Sequence, residues 1–407
     1  MLRNRTPFRW LLLLWLAVLA SCDIFQNDPP TPLPTPQPDG QELFVSADLI
    51  ATVPKVTLQG LAVLSGLGNF APFAKYDVTF YRFVYKVKYQ GQDIQASGLL
   101  GIPQGTPTAP ALLSAQHGTM FKQSDAPSNF PNTFSGFELF ASTGFVTVIP
   151  DFIGYGISKN IFHPYYDKPA SALAVVNMVK AAQYFLATKS VAINDNLFLV
   201  GYSEGGYVTM AAQQEIETHA GHNLAVTAAA EGAGGYDLTG FMNLIATVPT
   251  YASPSFLAFI IQAYNTTYTW NRPLTEFFQE PYAGKIPGLL NGTKTTDEIN
   301  AELTTSPAAL FTPTFYANLK NPNGELVLKQ KLADNGFGDW VPESPTRLYH
   351  GTNDESVFYQ TSETTFNRFK AAGATNVEFF PIPGGMHRTS IEPMMVNALP
   401  WLQSLDK

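Results

Sequence analysis

The sequence is short of cysteine, of basic charge and of metal-binding patterns. Its single cysteine in 407 residues is Cys22, so no disulfide can form within the chain. The 24 lysines and arginines are outnumbered by 32 aspartates and glutamates. They form no basic stripe or arginine run, which leaves a nucleic-acid partner without an electrostatic footprint. No H-E-x-x-H pattern, cysteine cluster or EF-hand loop occurs, which speaks against a catalytic metal. No internal repeat is visible either. What is abundant is apolar: 45% hydrophobic and 13% aromatic residues are enough for a large core and exclude disorder outside the tails.

Long apolar runs are also scarce. The run nearest the N-terminus, Trp10 to Ala20, falls short of a bilayer core of ~30 Å at ~1.5 Å per residue. Arg3, Arg5 and Arg9 precede it, and residues 1–21 read as a signal peptide. The run ends in Leu19-Ala20-Ser21-Cys22, which resembles a bacterial lipobox. That resemblance implies cleavage before Cys22, a diacylglyceryl group on its thiol, and an exported lipoprotein held on a membrane in the periplasm or at the cell surface. Several acyl chains would make such anchoring stable. Loss of residues 1–21 leaves 21 basic against 32 acidic residues, a formal charge of −11. Asp28 to Gly40 then carries six prolines and predicts a polyproline II spacer, ~40 Å long at ~3.1 Å per residue. Residues 22–42 are assigned to this tether.

The pattern turns globular from there. Tyr76–Tyr89 and Ile94–Ile102 alternate apolar and polar residues, which predicts antiparallel strands with one wet face. Ala111–Ala115, Phe145–Ile149, Leu197–Val200 and Ala225–Ala230 are continuous apolar runs, suited to parallel strands buried on both faces. Helical periodicity lies between them, at Ala172–Lys189 and Gly205–Thr218. Two more strands, Thr346–His350 and Val377–Ile382, precede a helix near Pro393–Leu405. Alternating strands and helices predict an α/β fold with a mostly parallel sheet flanked by helices. The alternation stops over residues 238–341, a stretch rich in aromatics and prolines and too long for a loop. It reads as an inserted helical cap, leaving residues 43–237 and 342–407 as the core.

The chemistry concentrates at Gly201-Tyr202-Ser203-Glu204-Gly205. The run Leu197–Val200 before it is a strand and Gly205 onward is a helix, so the serine sits on a sharp strand-to-helix turn that needs tiny neighbours. There its Oγ is exposed at a helix N-terminus, which favours developing negative charge. A serine needs a base, and in this architecture acid and histidine follow the nucleophile in that order. His387, in the loop Pro383-Gly384-Gly385-Met386-His387 after the last strand, fits the base. Asp354, in Gly351-Thr352-Asn353-Asp354, fits the acid better than its neighbour Glu355. One oxyanion donor is expected from the backbone N–H of Glu204. The second is expected from Thr119, or else Gly118, in the loop after the strand at 111–115. His117 and Asp151 read as loop-bracing residues.

These residues resemble the α/β-hydrolase superfamily, and within it the secretory lipase-type esterases. The motifs in common are Ser114-Ala115-Gln116-His117-Gly118, Pro150-Asp151-Phe152-Ile153-Gly154-Tyr155-Gly156, His163-Pro164-Tyr165 and Gly201-Tyr202-Ser203-Glu204-Gly205-Gly206. The resemblance implies hydrolysis of carboxylic esters through an acyl-serine intermediate, without a cofactor. Glutamine is familiar where Glu204 stands, so the chain departs there by adding a charge beside the site. The apolar cap, from Phe241 to Trp270, favours acyl or aryl esters and hence a small-molecule ester or lipid substrate. A prolyl-oligopeptidase-like peptidase shares the order of the triad, but residues 43–75 leave no room for its propeller. A non-catalytic binding protein would have no need of all three triad residues.

Overall fold

The computed structural model describes residues Asp39–Asp406. The signal peptide, Cys22 and the proline run up to Pro38 lie outside the described residues. Asp39 and Gly40, assigned above to the tether, belong to the folded body. Asp39 pairs with Lys180 at 3.1 Å, and the Gly40 carbonyl accepts from the N–H groups of Leu43 and Phe44.

Nine strands build one sheet: β1 (Phe44–Val53), β2 (Val78–Tyr89), β3 (Gln92–Pro103), β4 (Leu112–Gln116), β5 (Val146–Pro150), β6 (Leu197–Tyr202), β7 (Ala228–Gly232), β8 (Thr346–Gly351) and β9 (Val377–Ile382). Their order is β1-β2-β3-β5-β4-β6-β7-β8-β9. The pairs β1–β2, β2–β3 and β3–β5 are antiparallel, and every later pair is parallel. β4 to β7 are buried along their whole length, as continuous apolar runs require when helices cover both faces. The helices Lys168–Thr188, Glu204–Thr218 and Gln360–Ala371 pack on one face; Lys55–Leu64 and Ile391–Leu405 pack on the other. Lys168–Thr188 is apolar and long enough to cross a membrane, yet it is a core helix, 72% buried in its most apolar window.

Three differences from the sequence expectation have physical causes. β3 has a wet face only as far as Gln95, because from Gly98 to Gly101 it is flanked by both β2 and β5. β1 gave no signal because it is an edge strand whose register with β2 slips twice, which destroys the two-residue period. β7 runs from Ala228 rather than Ala225, since residues 225–227 are still leaving the turn after the preceding helix.

Between β7 and β8 the chain forms eight helices, from Leu238–Ile245 to Leu326–Asp334. Phe277, Phe278, Phe311 and Phe315 give this insertion buried apolar contacts of its own, and a bridge pairs Phe278 with Phe311. Burying a Phe side chain contributes about 1.5–3 kcal/mol. The cluster therefore gives the insertion a small core of its own, away from the sheet.

Candidate active site

β6 delivers Ser203 to the sheet's carboxyl edge, where the chain turns at once into the helix Glu204–Thr218. Ser203 has φ 60° and ψ −126°, a conformation costing on the order of 1–3 kcal/mol for a residue with a Cβ. Two contacts hold it. Its N–H donates to the Gly232 carbonyl on β7 at 2.8 Å, and the helix continues directly from it. Glycine is required beside it: a Cβ at Gly201 would strike the Gly205 carbonyl, and one at Gly205 would strike the Gln116 carbonyl.

His387 and Asp354 reach the serine from the loops after β9 and β8. Ser203 Oγ–H donates to His387 Nε2 at 2.8 Å, and His387 Nδ1–H donates to Asp354 Oδ2 at 2.7 Å. Asp354 Oδ1 accepts from the N–H groups of Ser356 at 2.9 Å and Val357 at 2.8 Å. His350 Nε2 lies 3.2 Å from Oδ2 and also donates to the Val357 carbonyl at 2.8 Å, while Ser362 Oγ holds its Nδ1 at 2.6 Å. Burial alone would raise the Asp354 carboxyl. The hydrogen bonds from His350 and His387, with the attraction of both rings, outweigh it and hold the carboxyl well below the ordinary carboxylate range. Glu355 takes another part: its Oε2 accepts from the His387 backbone N–H at 3.1 Å. Tyr202 OH donates to the His387 carbonyl at 2.7 Å.

Gly118, Thr119 and Ser203 line one open cleft of about 490 Å³. As the first residue of its helix, Glu204 has an N–H with no intrahelical acceptor. Thr119 is fixed through its hydroxyl, 3.0 Å from Tyr165 OH. His117 turns its Nδ1–H to the Gly118 carbonyl at 2.7 Å and stacks on Phe152, with ring centres 4.2 Å apart. Burial lowers the affinity of its ring for a proton. Asp151 accepts from Ser97 Oγ at 2.6 Å and from the Ser128 N–H at 2.8 Å, and burial raises its carboxyl. Both residues brace loops.

The Glu204 side chain points away from the cleft. Its Oε1 lies 2.6 Å from His163 Nε2, and His163 Nδ1–H donates to the Ile153 carbonyl at 2.6 Å. Both partners are buried. The side chain by which this chain departs at the nucleophile turn is thus paired with a ring from the loop after β5. Sequence reasoning gave His163 no role, because 41 residues separate it from Glu204. His350 was visible only as a histidine ending a strand.

The insertion supplies the cleft's outer wall, including Ala252, Ser253, Phe256, Thr296, Asp297 and Asn300. Phe256 and Ser356 are shared with a smaller apolar chamber of about 30 Å³, walled by Tyr166, Leu238, Phe241, Tyr251 and Ile260 among others. Tyr251 OH donates to the Ser356 carbonyl at 2.6 Å, and Ser253 and Ser356 hydroxyls meet at 2.8 Å. Arg388 and Asp297 approach to 3.7 Å across the mouth.

A family model described as secretory lipase matches residues 138–405. The chain belongs to the secretory lipase family. The protein is therefore a carboxylic ester hydrolase, and membership of a secretory family accords with export. No curated protein sequence matches it. Among solved structures it is similar to a Legionella pneumophila protein classed as a hydrolase, with TM-score 0.81, 24% identity, and coverage of 90% of this chain and 99% of that one. A mutant of the rice cell wall degrading esterase LipA from Xanthomonas oryzae aligns with TM-score 0.79 and 24% identity over 89% and 99% of the two chains. Candida antarctica lipase A in its closed state gives 0.65 and 15% over 90% and 82%. At these identities the likeness is one of fold: an α/β-hydrolase.

Proposed function

We propose that the protein cleaves carboxylic esters through a covalent acyl-serine, with Ser203 as nucleophile, His387 as general base and acid, and Asp354 as its orienting carboxylate. The carrying observation is the unbroken chain Ser203 Oγ, His387 Nε2, His387 Nδ1 and Asp354 Oδ2, with links of 2.8 and 2.7 Å. Ser203 Oγ attacks the ester carbonyl carbon as its proton passes to His387 Nε2. The tetrahedral oxyanion is held by the backbone N–H groups of Glu204 and Thr119, preorganised dipoles that need not reorient as charge develops. Collapse breaks the bond to the alcohol oxygen, which takes the proton from His387. Water then adds to the acyl carbon, gives its proton to His387, and releases the acid as Ser203 Oγ recovers the proton.

The chamber beside Phe256 and Ser356 takes the acyl group, and the wider cleft takes the alcohol. At about 30 Å³ the chamber has room for little more than a methyl-sized group, which favours the shortest acyl groups. The lipobox-like Leu19-Ala20-Ser21-Cys22 further supports a lipid anchor on Cys22, with the Pro-rich segment as tether. Metabolic labelling with a radioactive fatty acid tests the anchor: wild type should take label and Cys22→Ala should not.

The catalytic reading is tested with p-nitrophenyl butyrate and an aminoacyl-nitroanilide, comparing wild type with Ser203→Ala. Ester turnover by wild type alone is expected. Anilide turnover without ester turnover would overturn the reading, as would ester turnover by Ser203→Ala near the wild-type rate.

A further inference from the structure

The helix that starts at Ser203 ends in a group of side chains that the hydrolysis does not use. Glu215 lies in its last turn, His219 caps it, and a single 3-10 turn, Ala220–His222, folds His222 back over the helix end. Glu215 divides its carboxylate between the two rings. Oε1 is 2.7 Å from His222 Nε2, and Oε2 is 3.3 Å from His219 Nδ1. The three ligand atoms lie within 4.8 Å of one another.

We propose that Glu215, His219 and His222 form a binding site for a divalent transition-metal cation of the Zn²⁺ type. Three features carry this. Two imidazoles and one carboxylate are the donors that borderline cations select, whereas Mg²⁺ and Ca²⁺ prefer all-oxygen sets. Zinc–ligand bonds of about 2.0–2.2 Å put ligand atoms roughly 3.3 Å apart, so only small side-chain rotations close the group around an ion. The ligands also sit at the negative end of a helix dipole, where a cation is favoured. The His219 side chain is 61% exposed, giving the ion an entry path and leaving a coordination position to water.

Twelve residues of helix separate Ser203 from Glu215, roughly 18 Å at about 1.5 Å per residue. An ion there touches no reacting atom. It would cross-link the end of the nucleophile helix to the turn that leads into β7, the strand whose Gly232 carbonyl accepts from the Ser203 N–H. The effect belongs to stability, not to chemistry.

The test uses the full chain, stripped with a chelator and dialysed, and titrated with ZnCl₂ by calorimetry. His219→Ala/His222→Ala is the comparison, with MgCl₂ as the control ion. Expected are one Zn²⁺ per chain bound at least tenfold tighter by wild type, no Mg²⁺ binding, and a zinc-dependent rise in Tm of about 2–4 °C seen only in wild type. The variant changes one exposed and one partly buried side chain, both away from the cleft, so unchanged ester turnover certifies its folding. Equal zinc affinity in the two proteins, or no zinc binding by wild type, overturns the proposal.

Discussion

Replacing Asp354 with asparagine separates the carboxylate's chemistry from its packing. Asp354 Oδ1 accepts two backbone N–H groups, from Ser356 and Val357, while Oδ2 faces the rings of His387 and His350. An asparagine must keep its carbonyl oxygen against those two donors, which turns its NH₂ toward His387. Nδ1 then becomes the acceptor, Nε2 carries the proton, and Nε2–H faces Ser203 Oγ, where a base is needed. The wrong tautomer costs about 10³–10⁴ in kcat, or roughly 4–5.5 kcal/mol of transition-state stabilisation. Folding should be lowered by only about 1–3 kcal/mol, since the His350 ring also loses an acceptor. Steady-state kinetics on a soluble p-nitrophenyl ester, with a melting curve for each protein, measure both quantities. A folded Asp354→Asn enzyme within tenfold of wild-type kcat would refute the reasoning.

Three further outcomes follow from particular contacts. Glu204→Leu leaves His163 Nε2 buried and unpaired and should lower stability by about 1–3 kcal/mol, whereas Glu204→Gln can still donate to that nitrogen and should keep most activity; equal losses in denaturant melts and kinetics would contradict the pairing. Glu231, buried on β7 with neither oxygen partnered among the described residues, has its carboxyl pushed well above the ordinary range by burial and by Glu217. A carboxyl raised in the folded state stabilises below its unfolded pKa of ~4.3 and loses that contribution as pH rises. The Tm advantage of Glu231→Gln over wild type should therefore grow from pH 5 to pH 8, and a pH-independent difference would count against it. On p-nitrophenyl esters of graded length, kcat/KM should peak at short acyl chains and fall beyond the reach of the apolar chamber; a maximum at long chains would show that the chamber is not the acyl site.

Local signals carried the sequence reading where chemistry is local. The turn around Ser203 declares itself because close approach of Gly201 and Gly205 to neighbouring carbonyls admits no side chain, and that requirement is written as glycine. His387 and Asp354 were reachable through chain order, since each follows a recognisable strand. Pairings across distant segments left no such trace. His163 and Glu204, His350 and Asp354, and Glu355 with the His387 backbone are matched only in three dimensions. β1 was silent for a related reason: an edge strand with a slipping register needs no clean alternation. The cap could be delimited by loss of strand–helix alternation, but its contribution to the cleft depends on how its helices pack, which periodicity does not encode.

The most direct test of the account is covalent labelling of Ser203. The full chain is treated with a fluorophosphonate, digested, and the modified peptide sequenced by mass spectrometry. One label per chain on Ser203 is expected, with none on the Ser203→Ala protein and much slower labelling of His387→Ala. A label on another serine, or an esterase-active protein that takes no label at all, would contradict it.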